Sequence, residues 1–197
     1  MNIINVENIT KIYTERELFS KASFYVQEKE KIGIVGINGT GKSTLLKIVA
    51  GMEEPDEGKI IKANHTVISY LPQDPVFDKE ESVIDAVVRK VMEAKLQKEN
   101  DLSHEEESQL AAEAKMMLTR LGVYDFEQKC KELSGGQKAK VLLLKMSMSK
   151  ANVLILDEPT RNFSPLSNPV IRQMLAEFQG AIISVSHDRK YIQEVCE

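Results

Sequence analysis

The chain has 197 residues, of which 42% are hydrophobic and 28% charged, and its formal net charge is −4 at pH 7. This length allows one domain, or one domain with a subdomain, and the acidic balance gives no general reason to expect nucleic-acid binding. Cys130 and Cys196 are too few and too far apart for a disulfide framework or a metal site. Without a signal-peptide pattern or a run of about twenty apolar residues, the sequence predicts a cytoplasmic protein that is not inserted in a membrane.

The N-terminal segment, residues 2 to 30, is predicted to form β structure. Ile4, Val6 and Ile9 alternate loosely with polar residues, and a second β-prone run includes Phe24. Tyr13 lies between these runs. An aromatic ring at this position can stack on an adenine, but the local pattern favours an ordinary half-buried strand tyrosine.

Residues 36–43, with the sequence GINGTGKS, lie between an apolar strand and a segment of helical apolar spacing. They match G-x-x-x-x-G-K-[ST], the phosphate-binding loop. Glycines let the backbone wrap closely around phosphates, and the N–H groups at a helix start attract anions. Lys42 is expected to reach the terminal phosphates and Ser43 to bind Mg²⁺. A glycine-rich turn before a helix would explain the glycines but does not require the Lys-Ser pair.

A turn rich in Gly, Pro and acidic residues follows this helix. The next two β-prone runs, 59–61 and 66–71, are predicted to form a hairpin that ends in a proline-bracketed loop. Gln73 lies in that loop, and its amide has both a donor and an acceptor with which to meet a metal-bound water and a phosphate. From this loop alone, an ordinary surface glutamine is the better interpretation.

Residues 82 to 121 predict two helices, because apolar residues recur at helical spacing in two stretches. A polar break separates the stretches, and Asp101 or Ser103 is expected to cap the second helix. We interpret residues 79–133 as a helical subdomain inserted into an α/β core formed by residues 1–78 and 134–197.

The core segment resumes with Ser134, Gly135 and Gly136 ahead of a helix predicted over 138–148. A helix N-terminus preceded by Ser and two glycines has the chemistry of a second anion site. A well-capped helix without a ligand would have the same composition.

Residues 153–158, VLILDE, form a nearly continuous apolar run, typical of a central parallel strand, and end in two acids. Ligands of open α/β sheets bind at the carboxyl ends of such strands. Asp157 is expected to hold Mg²⁺ through water, and Glu158 to orient or deprotonate a water that attacks a γ-phosphate. His187 follows another apolar strand, 181–185, and is either a donor to that phosphate or a structural loop histidine.

In this order, the segments resemble the ATP-binding cassette family along the whole chain. Residues 36–43 correspond to its Walker A loop, Gln73 to its Q-loop and 133–137 to its signature motif. Residues 153–158 correspond to its Walker B strand with the catalytic Glu, and His187 to its switch histidine. Each match is weak to moderate, whereas the ordered set is specific.

The resemblance implies an α/β fold: a P-loop NTPase core with a parallel central sheet, an N-terminal antiparallel β subdomain and an inserted α-helical subdomain. It further implies an ATPase that uses ATP and Mg²⁺. The expected nucleotide contacts are Tyr13, at the family's adenine-stacking position, with Gly36, Asn38, Gly39, Thr40, Gly41, Lys42, Ser43 and Thr44. The expected metal ligands are Ser43, Gln73 and Asp157. The expected catalytic residues are Glu158, His187 and Gln73.

The family mechanism needs two cassettes, because the signature motif of one closes over ATP held by the other. The residues expected to act in trans are Ser134, Gly135, Gly136 and Gln137. The expected partner is therefore a second cassette, either a copy of this chain or another protein, and ATP is expected to drive the pairing.

The branch within the family is left open by the sequence. Residues 69–74 and 185–189 resemble the soluble ABC-F branch, whose members carry two cassettes and act on the ribosome. Against this, the chain has one cassette and no long basic linker, and residues 79–131 hold 9 basic and 12 acidic residues, a poor composition for gripping rRNA. Ser164 also stands where an Asp that couples the two sites is expected. The chain ends soon after His187, as expected for a piece of a two-cassette protein or for a short cassette.

Three functions fit these observations. The first is a soluble ATPase that acts on the ribosome or another cytoplasmic assembly. The second is the ATPase subunit of a transporter, peripheral to the membrane and docked on a permease. The third, motivated by the altered loop after Glu158, is a nucleotide-dependent dimerising switch with little turnover.

Overall fold

The computed structural model describes residues 1–13, 16–73, 77, 80–89, 92, 104–161, 165 and 167–196. Asp101, Ser103 and Ser164 lie outside the described residues, so the predicted helix cap and the altered coupling position stay predictions. The chain forms two compact units. The first comprises Met1–Tyr70, Ala151–Pro159 and Ala176–Glu197, and the second comprises Leu71–Lys150 and Thr160–Leu175.

The first unit contains an antiparallel sheet with the strand order β2-β1-β4. Its strands are β1 (Asn2–Tyr13), β2 (Arg16–Gln27) and β4 (Glu57–Lys62). In the central strand, Val6 pairs with Phe24 of β2 on one side and with Ile60 of β4 on the other. The apolar side chains Ile4, Val6 and Ile9 are buried, because one face of this sheet covers the core. The predicted N-terminal β subdomain is confirmed.

A second sheet has the order β3-β7-β6-β5 and belongs to the same unit, except for Leu71, the last residue of β5, which is assigned to the second unit. Its strands are β3 (Lys31–Ile34), β5 (Ile68–Leu71), β6 (Val153–Asp157) and β7 (Ala181–Val185). The pairings of β7 with β3 and with β6 are parallel, and every residue of β6 and β7 is buried. The predicted parallel central sheet is confirmed, since only strands covered on both faces bury every side chain.

The predicted hairpin between residues 59–61 and 66–71 is wrong, because the two strands belong to different sheets. β4 pairs with β1, whereas β5 lies beside β6. A turn redirects the chain between them: Ala63 N donates to Ile3 O at 3.0 Å, and Thr66 N donates to Ala63 O at 2.9 Å. After this turn the two strands separate: β4 pairs with the backbone of β1, and β5 joins the sheet that contains β6.

Two helices of the first unit are α1 (Lys42–Ala50), which follows β3, and α6 (Arg189–Val195), which follows β7. α1 buries Leu46, Ile48 and Val49 in a core cluster that also holds residues of both sheets, among them Val6 and Ile155. The helix and the sheets of this unit therefore share one hydrophobic core, which fixes the start of α1 relative to the strand ends.

The second unit is largely helical. Its helices are α2 (residues 83–89), α3 (His104–Arg120), α4 (Gly135–Met148) and most of α5 (Asn168–Glu177). In α3 the predicted apolar spacing is confirmed, since Leu110, Ala114 and Leu118 are buried. α4 begins three residues earlier than predicted, at Gly135. The boundaries 79–133 of the predicted helical subdomain stay a prediction. Over the described ranges, none of the helices has both the length and the apolar character needed to cross a membrane.

Candidate active site

The phosphate-loop sequence connects the end of β3 to the start of α1. Gly41 is the N-cap of α1 and has a left-handed backbone, with φ of 89°. A Cβ at this position would also lie 3.0 Å from Leu18 Cβ, so both conformation and space require glycine here. The helix begins at once, with Leu45 N donating to Gly41 O at 2.8 Å. The first N–H groups of α1 are therefore presented towards the loop, as in an anion-binding helix start.

The ammonium group of Lys42 lies across this loop. Its Nζ donates to Gly36 O at 2.8 Å and to Ile37 O at 2.7 Å, and Thr40 Oγ1 donates to Ile37 O at 2.9 Å. The loop thus combines a lysine cation with helix N–H groups within eight residues. This combination of charge and donors is suited to a chain of phosphates.

Glu158 lies directly after β6 and has an unusual backbone conformation. Its φ is 52°, in the left-handed region that residues with a Cβ rarely adopt. The conformation is held by the neighbouring strand, because Glu158 N donates to Val185 O at 2.9 Å. Strain of this kind persists where the surroundings fix it and is concentrated at functional positions. The side chain is 14% exposed, so the carboxylate is largely buried and only partly open to solvent at the end of β6.

His187, beyond the end of β7, joins this carboxylate to the phosphate loop. Its backbone N donates to Glu158 Oε2 at 3.3 Å, and its Nε2 lies 3.4 Å from Glu158 Oε1. The same Nε2 lies 2.9 Å from Asn38 Oδ1. Three residues that are remote in sequence thus form one connected polar chain. The arrangement can position a proton acceptor and a proton donor beside a bound phosphate.

Asp157, the last residue of β6, is 4% exposed. Burial first, and then the negative charge of Asp157, raise the pKa of the neighbouring Tyr70 to about 12. Within the described residues no group of three or more His, Cys, Asp and Glu could hold a metal ion. The predicted metal ligands are the hydroxyl of Ser43, the amide oxygen of Gln73 and the carboxylate of Asp157. Oxygen ligands of this kind fit Mg²⁺, which keeps several waters and is also bound by substrate phosphates.

Tyr13 is the last residue of β1 and is 44% exposed. Its hydroxyl donates to Glu53 Oε1, and Lys11 Nζ lies 5.5 Å from the centroid of its ring. The ring is accessible for stacking, and adenine binding here stays a prediction. Sequence reasoning missed Lys11 and Glu53, because neither belongs to a recognisable motif and their contact with Tyr13 is made only by the fold.

Two of the predicted site segments belong to the second unit, namely Gln73 and residues 134–137. Ser134 is the N-cap of α4 in a capping box, in which Gln137 N donates to Ser134 Oγ at 3.3 Å and Ser134 N donates to Gln137 Oε1 at 3.0 Å. The start of α4 is therefore well ordered locally. The roles of Gln73 and of residues 134–137 towards a nucleotide stay predictions.

Comparison with known proteins identifies the family. The ABC transporter family profile matches residues 19–161. The chain is 35% identical over 99% of its length to the uncharacterized ABC transporter ATP-binding protein YfmR of Bacillus subtilis (strain 168), covering 35% of that protein. It is 32% identical over 98% of its length to ABC transporter F family member 5 of Arabidopsis thaliana, covering 27% of it. It is 31% identical over 97% of its length to the ribosome protection protein VmlR of Bacillus subtilis (strain 168), covering 32% of that protein.

The chain thus spans about a third of the length of the curated relatives it matches. Among solved structures it is similar to a dimeric ATP-binding cassette in a post-hydrolysis state bound to ADP and Pi, with a TM-score of 0.82 and 22% identity, covering 98% of this chain and 91% of that one. This likeness shows the fold, which is the predicted α/β P-loop fold. The phosphate loop, the two acids at the end of β6 and the profile match lead to one conclusion: the chain belongs to the ABC transporter family and is an ABC ATPase cassette, with relatives in the F family.

Proposed function

We propose that this cassette binds Mg·ATP, pairs with a second cassette and hydrolyses the ATP to drive a conformational change. The observation that carries the proposal is the polar chain from Asn38 through His187 to Glu158, which joins the phosphate loop to the carboxylate that follows β6. These contacts bring the predicted base and the predicted phosphate donor next to the predicted phosphate loop, which supports the proposal that they serve one site.

The proposed chemistry is an in-line attack of water on the γ-phosphate. The N–H groups at the start of α1 and the ammonium of Lys42 hold the β- and γ-phosphates. Glu158 accepts the proton of the attacking water, and His187 donates from Nε2 to an oxygen of the γ-phosphate as charge develops there. Ser43, Asp157 and Gln73 would hold Mg²⁺, which supplies neutralisation of phosphate charge when bound. Gln73 would also position the water.

The second cassette is needed because the signature residues act in trans in this proposal. Ser134, Gly135 and Gly136 would close over the γ-phosphate held by the partner. Two observations support this: the capping box orders the start of α4, and a Cβ built on Gly135 would have nothing within 4 Å, so the backbone there is open to approach. The solved cassette with the same fold is a dimer.

The test of the proposal is Mg²⁺-dependent ATP turnover by the purified chain and two lysine variants. Lys42→Ala is expected to abolish ATP binding, because it removes the cation that spans the loop. Lys47→Ala makes the same charge change on the exposed side of α1 and is expected to retain binding. Retained ATP affinity in Lys42→Ala contradicts the phosphate-loop assignment. Binding without multiple turnovers in the wild-type chain would favour a switch over an ATPase.

For the cellular role we propose an ABC-F-like action on the ribosome or another cytoplasmic assembly. The support is the similarity to an F family member and to a ribosome protection protein. The acidic excess of residues 79–131 argues against rRNA contact through that segment. The alternative is the ATP-binding subunit of a transporter, which would be peripheral to the membrane. Co-sedimentation with ribosomes supports the first, and co-purification with membranes and a permease supports the second.

A further inference from the structure

We propose that Glu53 and Lys11 are positioning residues for the nucleotide base, because they hold the ring of Tyr13 in a fixed place relative to the phosphate loop. The inference rests on the proposed nucleotide binding and adds two residues that belong to no motif. It follows from a polar network that links the end of β1, the end of α1 and the turn between α1 and β4.

The first part of the network fixes the ring by its hydroxyl. Tyr13 donates to Glu53 Oε1, and this bond is the main cause of a raised pKa at Tyr13, since the neighbouring carboxylate disfavours the phenolate. Thr44, in the first turn of α1, acts on the same hydroxyl in the opposite direction. The hydroxyl therefore interacts with Thr44 in the first turn of α1 and with Glu53 just beyond its C-terminus. The ring is held at its tip as well as at its backbone.

The second part fixes the face of the ring. Lys11 is 9% exposed, and its Nζ lies 5.5 Å from the ring centroid, within the range of a cation–π contact. Lys11 Nζ also donates to Glu54 O at 2.8 Å and lies 3.3 Å from Glu53 Oε1. The ammonium covers one face of the ring, so a base would stack on the other face.

The third part fixes the turn that carries Glu53. Gly51, the C-cap of α1, donates to Ile48 O, and Met52 N donates to Lys47 O at 2.9 Å, which ends the helix in a defined way. On the other side, Asp56 N donates to Thr10 O at 2.9 Å. The turn is thus bonded both to α1 and to β1.

The consequence is that the ring and the phosphate loop share one rigid support. The N-terminus of α1 belongs to the phosphate loop, and its C-terminus leads directly to the carboxylate that holds Tyr13. A base and a triphosphate that bind together would meet surfaces already set at a fixed separation, so less ordering remains to be done on binding. Loss of Glu53 is therefore expected to weaken recognition of the base and not of the phosphates.

The test compares ATP with inorganic triphosphate, which lacks the base, as ligands of the full chain. Glu53→Ala is expected to lower ATP affinity by about tenfold, near the lower end of what base–aromatic stacking contributes, and to leave the affinity for triphosphate unchanged. Glu54→Ala is the matched control, because it removes the same charge from an exposed neighbour whose contact with Lys11 is made by its backbone carbonyl. It is expected to change neither affinity.

A double-mutant cycle separates positioning from general stability. If Glu53 acts through Tyr13, Glu53→Ala has no further effect in the Tyr13→Ala background. Glu53→Gln, which can still accept from the tyrosine hydroxyl, is expected to restore most of the ATP affinity and serves if Glu53→Ala is poorly folded. Additive losses, or equal losses for ATP and triphosphate, overturn the inference. If wild-type binds triphosphate as tightly as ATP, the inference fails while the phosphate site stands; if it binds neither, the proposed function itself fails.

Discussion

His187 and Asn38 are 149 residues apart in sequence, yet His187 Nε2 lies 2.9 Å from Asn38 Oδ1. The same nitrogen lies 3.4 Å from Glu158 Oε1. Because one ring nitrogen is shared between an amide oxygen of the phosphate loop and a carboxylate after β6, the imidazole lies between these two segments, where we propose that a γ-phosphate binds. Its position is therefore set by both segments of the proposed site.

Removal of this imidazole is expected to slow hydrolysis with little effect on ATP binding. His187→Ala should lower kcat by about 10²–10⁴-fold, the usual contribution of a positioned proton-transfer group, because the phosphate loop that supplies most of the binding is untouched. The matched control is His65→Ala, which removes an exposed histidine paired with Glu28. Steady-state phosphate release measures both. Equal kcat values for the two variants would show that His187 has only a structural role.

Glu158→Gln is expected to keep ATP binding, stall hydrolysis and accumulate a dimer. The amide preserves size but does not take the proton of the attacking water, so the closed state with ATP persists. Light scattering with and without Mg·ATP measures the mass, and Mg·ADP is the control because it lacks the γ-phosphate. A twofold mass with ATP only indicates pairing with a copy of the chain. An unchanged mass despite ATP binding indicates that the partner is another cassette, and normal turnover would rule out Glu158 as the base.

Short, contiguous patterns in the sequence predict those parts of the candidate site that lie within single segments. The loop 36–43 was recognisable from its spacing, and β6 from a buried apolar run that ends in Asp157 and Glu158. Strand pairing was less predictable: β4 and β5 are close in sequence, but β4 pairs with β1, as its backbone partners are chosen by the fold. The contact between Glu53 and Tyr13 has the same origin. Contacts between side chains that only the tertiary structure brings together cannot be predicted from the spacing of residues along the chain.

Gly58 is expected to be among the least replaceable glycines of the first unit. Its φ is +85°, and a Cβ there would lie 2.4 Å from Asn8 O. Gly58→Ala should therefore cost more than the roughly 1–2 kcal/mol of a left-handed alanine, because β4 and β1 must also separate. Gly39→Ala is the control, since φ is +79° but nothing lies within 4 Å of the added Cβ. Chemical unfolding of both variants gives the comparison, and similar losses would contradict the close approach of the two strands.

Asp56 is expected to make the fold sensitive to acid. Its Oδ2 accepts from Ile12 N at 2.7 Å, and this bond first, then the charge of Lys11, holds the pKa of the carboxyl below its usual 3.8. A depressed pKa contributes stability above the unfolded value, and that contribution is lost as pH falls below about 4 through the folded value. In the Asp56→Asn variant, the free energy of unfolding should therefore decrease less steeply as the pH falls through this range.

The measurement is urea unfolding at a series of pH values from neutral to about 2, with Glu57→Gln as the control that makes the same charge change one residue further along the chain. The wild type and the control should lose stability in parallel as the pH falls, while Asp56→Asn starts lower at neutral pH and converges with them in acid. The curves converge because Asp56, once protonated, has lost the charged carboxylate that accepts from Ile12 N and stabilises the folded state. A constant offset between Asp56→Asn and the wild type at every pH would show that the bond to Ile12 does not depend on the charge of Asp56.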